Sequence, residues 1–486
     1  MEGTRKLMGA NCYGVCTNFV KSLDNQILTN LKKAGIELRP AKSIGLWCYT
    51  LLPMILLNYT FIYKTPVWYQ TIAFVSVGLF SYCSLFILFL SITGNIILEA
   101  EYGGCMASGL ISTILLYTVS EKDLLPSLFI SLSCIWSFNI LLKAALINFP
   151  KTFTLGEAMV VVQSIPLFVT ASVIKFVHNI FYGIEDEYML INTIVLTVLA
   201  TTVLIIAAMF LVDNGNKSIK SIGYIVACAA IILLFAWHFI LGPQCLIIIF
   251  EYVFGYNRLK LINFWLILLV VAVMLILIET KLGRKANTMT RKTFHILASM
   301  VFVSGILGDI QLMTLAAGIG LSVLLFVEAI RISGIEKISP ALQSAFNVYG
   351  DEKDSGSFAM TPLYLFTGLA CPLVLVPSAT SLDLLAGVLA VGIGDTAASC
   401  AGASFGRTHW RDSNRTLEGT AFNILSQVAL VYVLNFFDFF HGRNVLIRTI
   451  VSATTSALVE AKTEQVDNLI LPLIALVAFQ ATWFLA

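Results

Sequence analysis

Long apolar segments separated by short polar stretches recur from residue 44 to the end of the chain. A helix needs roughly 17 to 25 predominantly apolar residues to cross a bilayer, and about 15 segments approach or reach that length. The pattern therefore predicts an all-α, polytopic integral membrane protein with about 15 transmembrane helices, some of them short enough to be re-entrant instead. The predicted spans cover residues 44–63, 70–92, 104–120, 124–148, 155–181, 188–212, 218–241, 262–279, 293–308, 311–330, 358–377, 381–404, 417–437, 443–459 and 467–485.

Composition supports the same class of protein. Of the 486 residues, 58% are hydrophobic and only 12% are charged, and the mean hydropathy is +0.88. These values lie far outside the range of soluble globular domains. Residues 1–43 are polar and lack the early apolar core of a cleaved secretory signal, so we expect them to form a cytosolic amino-terminal segment.

The placement of basic residues predicts which face of the membrane each loop meets. When alternate loops are assigned to opposite sides, one face collects roughly three times as many Lys and Arg residues as the other, so we expect it to be cytosolic. Residues 281–292, 331–355, 405–418 and 460–467 all fall on that face. The exception is residues 242–256, where Pro243 and Glu251 interrupt an apolar run too short for a span. We interpret it as interfacial; if it crosses, the two halves change relative orientation.

The polar clusters are concentrated in the second half of the chain. Three regions are therefore predicted: a cytosolic segment at 1–43, an amino-terminal transmembrane region at 44–280, and a carboxy-terminal catalytic transmembrane region at 281–486. The basic stretch at 281–291 marks the boundary between the last two. The catalytic residues would then lie in cytosol-facing loops.

One acidic residue lies deep inside a predicted span. Asp395 follows two glycines in Gly392-Ile393-Gly394-Asp395-Thr396-Ala397-Ala398-Ser399, and an ionised carboxylate there costs roughly 2.5 to 3.5 kcal/mol on insertion scales. One interpretation is a small-residue helix contact in which Asp395 bonds a neighbouring Ser or Thr. The other is a helix break near Gly392 to Gly394 and a water-filled cavity that reaches Asp395, where the carboxylate could hold Mg2+ or accept a hydroxyl proton.

A loop rich in arginine follows this acid. Arg407, Arg411 and Arg415 precede a hydrophobic helix that begins near Leu417. Guanidinium forks match phosphate oxygens, and a helix amino terminus offers unpaired N–H groups, so the loop is typical of an anion site. The alternative is an ordinary basic loop on the cytosolic side. The acid in Glu418-Gly419-Thr420, at the start of that helix, favours a metal or nucleotide contact.

Other polar groups on the same predicted face have two open interpretations each. The stretch 291–295 is either a basic interfacial girdle or part of a site, and Glu328 and Arg331 form either an internal ion pair or a substrate contact. Apolar residues recur at helical spacing over 335–349 and predict an amphipathic helix on the membrane surface. Acidic residues follow at 351–354 and 460–467, as solvated turns or as part of a divalent-metal site.

Taken together in their order, these motifs resemble the dolichol kinase family. The resemblance covers roughly residues 280 to 475 and is specific as a set, whereas the first half resembles the family only as a series of hydrophobic spans. One departure is Asn414-Arg415, where the family often has lysines. The motifs are Arg291-Lys292-Thr293-Phe294-His295, Glu328 with Arg331, Asp351-Glu352-Lys353-Asp354-Ser355-Gly356, residues 392–399, Arg415-Thr416-Leu417-Glu418-Gly419-Thr420 and Asp467-Asn468.

The resemblance implies an enzyme of the endoplasmic reticulum membrane that transfers the terminal phosphate of CTP to dolichol, giving dolichyl phosphate for protein glycosylation. It also implies a divalent metal, for which we expect Mg2+, and a CTP-binding segment that falls on residues 407–422. We expect the active site to face the cytosol, with dolichol and CTP as partners and no nucleic acid. The sequence predicts no particular protein partner.

Individual residues have predicted roles in catalysis, nucleotide binding and metal binding. The predicted catalytic residues are Asp395, Glu418 and His295. The predicted nucleotide contacts are Lys292, Arg407, Trp410, Arg411, Asn414, Arg415, Thr416, Gly419 and Thr420. The predicted metal ligands are Asp395, Glu328, Asp351, Asp354 and Asp467, and the sequence leaves open whether Asp395 binds metal or accepts the proton.

Three rival functions remain at this point. A CTP-dependent cytidylyltransferase would place the cytidylyl group on a lipid phosphate, and a kinase of another lipid alcohol would use the same groups as a dolichol kinase. A secondary transporter would also have many spans, a broken helix and a buried acid. The chain has no phosphate-binding G-x-x-x-x-G-K-[ST] loop and no protein-kinase signature in a credible context, so phosphoryl transfer here would not use a standard ATP-binding fold.

Overall fold

A computed structural model describes residues 2–99, 102–120, 122–182, 187–212, 217–282, 287–350, 356–377, 382–411, 413–440 and 444–485. These residues form α-helices with no β-strand among them, apart from one isolated bridge between His409 and Thr416. A π-helical segment, Val388–Asp395, leads directly into α15. The helices are α1 Glu2–Lys33, α2 Leu51–Ile62, α3 Val67–Ile92, α4 Tyr102–Val119, α5 Leu124–Asn148, α6 Leu155–Tyr182, α7 Glu187–Leu211, α8 Ile219–Leu241, α9 Cys245–Phe254, α10 Tyr256–Leu282, α11 Thr288–Gly308, α12 Ile310–Ser333, α13 Ile338–Tyr349, α14 Met360–Leu375, α15 Thr396–Phe405, α16 Leu417–Phe436, α17 Val445–Lys462 and α18 Asp467–Ala481.

The all-α, polytopic membrane class is confirmed, whereas the count of about 15 spans is not. Within the described residues, 10 helices are long and apolar enough to cross a membrane, and four shorter apolar helices accompany them. α11 and α17 coincide with the predicted spans 293–308 and 443–459 but are not among these helices. Both helices carry buried polar side chains, including His295 on α11 and Arg448 on α17, which lower their mean hydropathy. α9 has 10 residues, about half of what a span needs, which is consistent with an interfacial segment.

The chain divides into two compact units. The first comprises residues 1–60 and 64–171, and the second comprises residues 61–63 and 172–486. This division reflects how the helices pack. It does not test the functional boundary near residue 281, so that boundary stays a prediction. The polar residues around Asp395 and Arg415 lie in the second unit.

The first unit contains a buried ion pair that the sequence pattern did not predict. The Arg39 guanidinium donates to both carboxylate oxygens of Glu157, at 2.6 and 3.2 Å. Glu157 also accepts from the backbone N–H of Thr154 at 2.9 Å. Charges removed from water are tolerated only when they are paired and hydrogen-bonded. This pair therefore fixes the segment before α2 against the start of α6.

Side-chain caps mark where several helices of the second unit begin, including α11, α12 and α16. Asn287 accepts from the backbone N–H of Thr290 at 2.7 Å at the start of α11, and Asp309 accepts from Leu312 at 2.8 Å at the start of α12. Thr416 accepts from Gly419 at 3.1 Å at the start of α16. Such caps satisfy N–H groups that the first helical turn leaves without partners.

Candidate active site

The helix that carries Asp395 departs from regular α-helical geometry at the predicted position. Residues Val388–Asp395 are π-helical and continue without interruption into α15. π-helical turns are rare and are often found at functional sites. The predicted break thus takes the form of a wider helical turn instead of a gap in the chain.

The two glycines of this segment allow neighbouring helices to approach closely. A Cβ atom at Gly392 would collide with Ser299 Oγ on α11. A Cβ atom at Gly394 would collide with Asn423 Oδ1 and lie 2.6 Å from Gln427 Nε2, both on α16. For these glycines the structure favours the small-residue packing interpretation.

Asp395 forms an ion pair that crosses between two elements. The Lys292 ammonium on α11 donates to Asp395 Oδ2, and Ser399 Oγ lies 3.4 Å from the other carboxylate oxygen. Only 3% of the Asp395 side chain and 13% of the Lys292 side chain are exposed. The structure thus shows the carboxylate buried against a lysine, and the water-filled cavity at Asp395 stays a prediction. The pairing is physically reasonable, since a buried charge requires a compensating one.

His295 lies one helical turn after Lys292 on α11. It is buried, and its Nδ1 lies 3.3 Å from the carbonyl oxygen of Arg291. Its ring is close enough to Lys292, Asp395 and Asn468 to interact with them. The structure therefore brings two predicted site residues of α11 to the intramembrane acid.

The arginine-rich loop folds back on itself as a short hairpin. Trp410 N–H donates to the Arg415 carbonyl at 2.9 Å, and Leu417 N–H donates to the Thr408 carbonyl at 2.8 Å. The carboxylate of Glu418 accepts from Thr408 N–H at 3.1 and 3.2 Å, so it closes the base of the hairpin.

Of the remaining predicted nucleotide contacts, some stabilise the hairpin and the start of α16, and others are exposed. Trp410 Nε1 donates to Thr420 Oγ1 at 2.9 Å, and Thr416 and Gly419 form the helix cap. The side chains of Arg407, Arg411 and Asn414 are exposed.

Arg415 points from the hairpin into a cluster of acids. Its Nη2 donates to Asp467 Oδ2 at 2.7 Å, and its Nη1 lies 3.4 Å from Glu460 Oε1. The Asp467 carboxylate is the main cause that raises the pKa of the Arg415 guanidinium above its usual value, with Glu460 adding to it and burial opposing it. Asp395 is also within electrostatic range of Arg415. One cluster thus contains Lys292, His295, Asp395, Arg415, Glu460 and Asp467.

Two buried amides complete this cluster and were missed in the sequence. Asn423 Nδ2 donates to Glu460 Oε2, and Gln427 Nε2 donates to Asn423 Oδ1 at 2.5 Å. Asn423, Gln427 and Glu460 are all buried. The spacing i,i+4 of two amides in an otherwise apolar helix is the signal that could have revealed them, because it places both on one face.

Some predicted metal ligands lie elsewhere or outside the described residues. Glu328 accepts from Arg331 at 2.6 and 2.8 Å and from the backbone N–H of Ala359 at 2.7 Å. Of its two open interpretations, the structure shows the internal ion pair. Asp351 and Asp354 lie outside the described residues.

The cluster contains oxygen groups of the kind that bind Mg2+. Among the described residues, no three His, Cys, Asp or Glu side chains stand close enough to form a metal site by themselves. Mg2+ needs fewer protein ligands, because it is usually held by one or two carboxylates together with substrate phosphates and water. Thr396 Oγ1, next to Asp395 in the chain, is buried without a hydrogen-bond partner in the described part of the protein. Asp395, Asp467 and this hydroxyl are hard oxygen groups that suit Mg2+ bound together with phosphates.

The fold and this site define a helical integral membrane protein whose second unit holds a buried cluster of paired acids and bases. The family model described as Dolichol kinase matches residues 71–409. The chain therefore belongs to the dolichol kinase family. The matched region includes Lys292 and Asp395 but ends before Arg415.

Individual relatives agree with the family. The chain is 29% identical to the dolichol kinase of Mus musculus over 398 residues, which are 78% of this chain and 74% of the relative. It is 29% identical to the dolichol kinase of Bos taurus over 399 residues, again 78% of this chain and 74% of the relative. A shorter similarity, 29% over 220 residues, relates it to the dolichol kinase of Saccharomyces cerevisiae and covers 44% of this chain and 40% of that one. No solved structure matches this chain.

Proposed function

We propose that the chain transfers the terminal phosphate of CTP to the hydroxyl group of dolichol, at the cytosolic face of the endoplasmic reticulum membrane. The observation that carries this proposal is the cluster that joins the intramembrane Lys292–Asp395 pair to Arg415 of the hairpin, in a chain of the dolichol kinase family. Phosphoryl transfer depends mainly on positioning and on stabilising charge, and a mixed cluster of acids and bases supplies both.

The cations of the site are suited to a triphosphate. Lys292 and Arg415 are both part-buried, so their charges act in surroundings of low polarity, where they are stronger than in water. The exposed Arg407 and Arg411 extend the positive charge along the hairpin. Guanidinium groups bind phosphate oxygens through two parallel hydrogen bonds. CTP would enter along the hairpin and compete with Asp395 for Lys292, while Arg415, still held by its two acids, would bind the phosphates with its other N–H groups.

The charge of the cluster argues for a divalent cation with the nucleotide. Asp395 and Asp467 pair with the two cations Lys292 and Arg415. Because these charges balance, the cluster has no surplus positive charge for a triphosphate unless a cation comes with it. We propose Mg2+ held by Asp395 and Asp467; when bound, it would neutralise charge on the phosphates.

Asp395 would also handle the proton of the alcohol. The hydroxyl oxygen of dolichol would form a bond to the terminal phosphorus while the bond from that phosphorus to the β–γ bridging oxygen breaks, giving dolichyl phosphate and CDP. The hydroxyl proton then needs an acceptor, and the Asp395 carboxylate is one. Either role, metal ligand or proton acceptor, requires Lys292 to release Asp395 when the phosphates arrive.

The experiment that tests this function uses CTP labelled in two positions and purified protein with a panel of lipid alcohols. Label from the terminal phosphate should enter dolichol, and label from the cytidine should remain in CDP. Transfer of the cytidine label to lipid would instead show a cytidylyltransferase. Preference for a different lipid alcohol would overturn the assignment of dolichol.

The cytosolic orientation has its own test. A protease site inserted beside the exposed Asn414 should be cut by protease added outside sealed microsomes. Protection from cleavage until detergent is added would place the hairpin in the lumen and would contradict this part of the proposal.

A further inference from the structure

Arg415 is held by two acids from different elements. Asp467 begins α18, and Glu460 lies in the last turn of α17. The residue assignments from sequence included Asp467 but not Glu460. Only 5% of the Glu460 side chain is exposed, compared with 12% for Asp467. Glu460 is thus the more deeply buried partner of the hairpin arginine.

Both carboxylate oxygens of Glu460 are occupied. Oε1 faces Arg415 Nη1 at 3.4 Å, and Oε2 accepts from the side-chain amide of Asn423. Asn423 is itself fixed, because its Oδ1 accepts from Gln427 Nε2 at 2.5 Å. The direction of the Glu460 carboxylate is therefore set by α16.

The same amides touch the segment that carries Asp395. Gly394 packs so closely against Asn423 and Gln427 that even a methyl group at this position would collide with them. A continuous series of contacts therefore runs from Gly394 through Asn423 and Glu460 to Arg415. It joins the backbone beside the intramembrane acid to the arginine of the hairpin.

We propose that Glu460, oriented by Asn423, is a positioning residue that sets the place of the Arg415 guanidinium relative to Asp395. This inference rests on the proposed function. Arg415 has one long, flexible side chain, and an arginine binds a phosphate well only when its planar fork is held in one orientation. Two carboxylates on separate helices hold it from two sides, and the amide of Asn423 prevents Glu460 from turning away.

The chain contains a matched control for the purely structural effect of a buried pair on α17. Arg448 Nη2 donates to Asp383 Oδ1 at 2.9 Å, and both side chains are less than 10% exposed, at 7% and 2%. Arg448 precedes Glu460 by 12 residues on α17, a separation of about 18 Å along a helix. Weakening the Arg448–Asp383 ion pair removes a similar buried charge contact. It leaves the series of contacts from Gly394 to Arg415 unchanged.

The test is the variant Glu460→Gln, because glutamine keeps an oxygen for Asn423 and places an NH2 group, which cannot accept from Arg415, opposite the guanidinium. We expect the KM for CTP to rise by about tenfold, the size of effect expected from losing one contact to a charged group, with the KM for dolichol unchanged. Asp383→Asn should lower thermal stability and leave the KM for CTP unchanged. An unchanged or lowered KM for CTP in Glu460→Gln would overturn the inference.

A double-variant measurement distinguishes an effect of Glu460 that acts through Arg415 from an independent effect on CTP binding. If Glu460 acts through Arg415, then Glu460→Gln and Arg415→Lys should be non-additive in their effects on the KM for CTP. Additive effects would show that Glu460 acts elsewhere. If Glu460→Gln does not fold, Asn423→Ala removes the donor without changing a charge, and the same rise in KM is expected.

Failure of this inference can be told from failure of the proposed function. Absence of phosphate transfer from CTP by the wild-type protein would refute the function. Transfer by the wild type together with an unaltered KM in both Glu460→Gln and Asn423→Ala would refute only the positioning role.

Discussion

The Lys292 ammonium donates a hydrogen bond to the Asp395 carboxylate, although the two residues are 103 positions apart in the chain. Lys292 is held in the second turn of α11, and Asp395 ends the π-helical segment. The lysine offsets the cost of removing this carboxylate from water. In the proposed mechanism, a substrate phosphate and Asp395 would compete for this one ammonium group.

The first prediction concerns Asp395 itself. Asp395→Asn keeps the shape of the side chain and an oxygen that can accept from Lys292, so we expect folded protein. Phosphate transfer should fall by about two to four orders of magnitude, as is usual when a group that handles a proton or the reacting charges is removed. Transfer from labelled CTP to dolichol measures the loss, and size-exclusion chromatography checks folding. Asp383→Asn, in the separate pair with Arg448, is the matched control. Near-normal turnover in Asp395→Asn would remove Asp395 from the chemistry.

The second prediction separates the structural role of the Lys292–Asp395 pair from its catalytic role. Lys292→Met leaves a buried carboxylate without its cation and should destabilise the protein by about 3 to 5 kcal/mol. The double variant Lys292→Met with Asp395→Leu removes both charges and should recover most of that stability. Neither variant should transfer phosphate. Thermal unfolding in detergent and the labelled-CTP assay measure the two effects, and an active double variant would contradict the proposed mechanism.

The third prediction tests the close approach at the π-helical segment. Gly392→Ala should lower stability and activity together, because the new Cβ collides with Ser299. Adding Ser299→Gly makes room and should restore part of both. Gly223→Ala on α8 is the control, because a Cβ there meets nothing within 4 Å. If Gly392→Ala alone behaves like the control, the glycine does not serve close packing.

The sequence predicted the types of chemical group in the site better than it predicted their partners. The cost of burying Asp395 in hydrocarbon marked it as a candidate site residue, and the density of arginine marked the loop that forms the hairpin as another candidate. Hydrophobic periodicity, however, says nothing about which helices meet. Arg415 and Asp467 are 52 positions apart and Asn423 and Glu460 are 37 apart, so tertiary packing alone brings them together. By contrast, Glu328 and Arg331 are one helical turn apart, and their ion pair was among the predicted alternatives.

Prediction of the number of spans is limited for the same reason, because hydropathy does not reveal which helices meet. Residues 443–459 were predicted to be a span from their apolar length, but polar residues such as Thr449 and Ser452 leave α17 outside the helices that are apolar enough to cross a membrane. These side chains are paired inside the protein and do not meet lipid. Sequence hydropathy cannot distinguish a polar group that faces a neighbouring helix from one that faces lipid.

The fourth prediction concerns the exposed end of the hairpin. In the described part of the chain Arg407 is exposed and has no ion-pair partner, whereas Arg415 has two. Arg407→Ala should therefore raise the KM for CTP about two- to fivefold, reduce the salt dependence of that KM, and leave thermal stability unchanged. Arg415→Ala should both raise the KM and lower stability, because it leaves Asp467 and Glu460 without their shared cation. Equal loss of stability in the two variants would contradict the different roles assigned to them.

The last prediction concerns the first compact unit. Glu157→Gln removes the charge that pairs with the buried Arg39 guanidinium, and we expect the free energy of unfolding to fall by about 3 to 5 kcal/mol. The control is Glu37→Gln, because Glu37 pairs with Lys151 at 3.0 Å where both side chains are more than half exposed, at 61% and 55%. That exposed pair should contribute less than about 1 kcal/mol. The KM for CTP of the folded fraction should be the same in both variants, since the proposed nucleotide site lies in the other unit. A raised KM for CTP in Glu157→Gln without loss of stability would instead give the amino-terminal half a part in nucleotide binding.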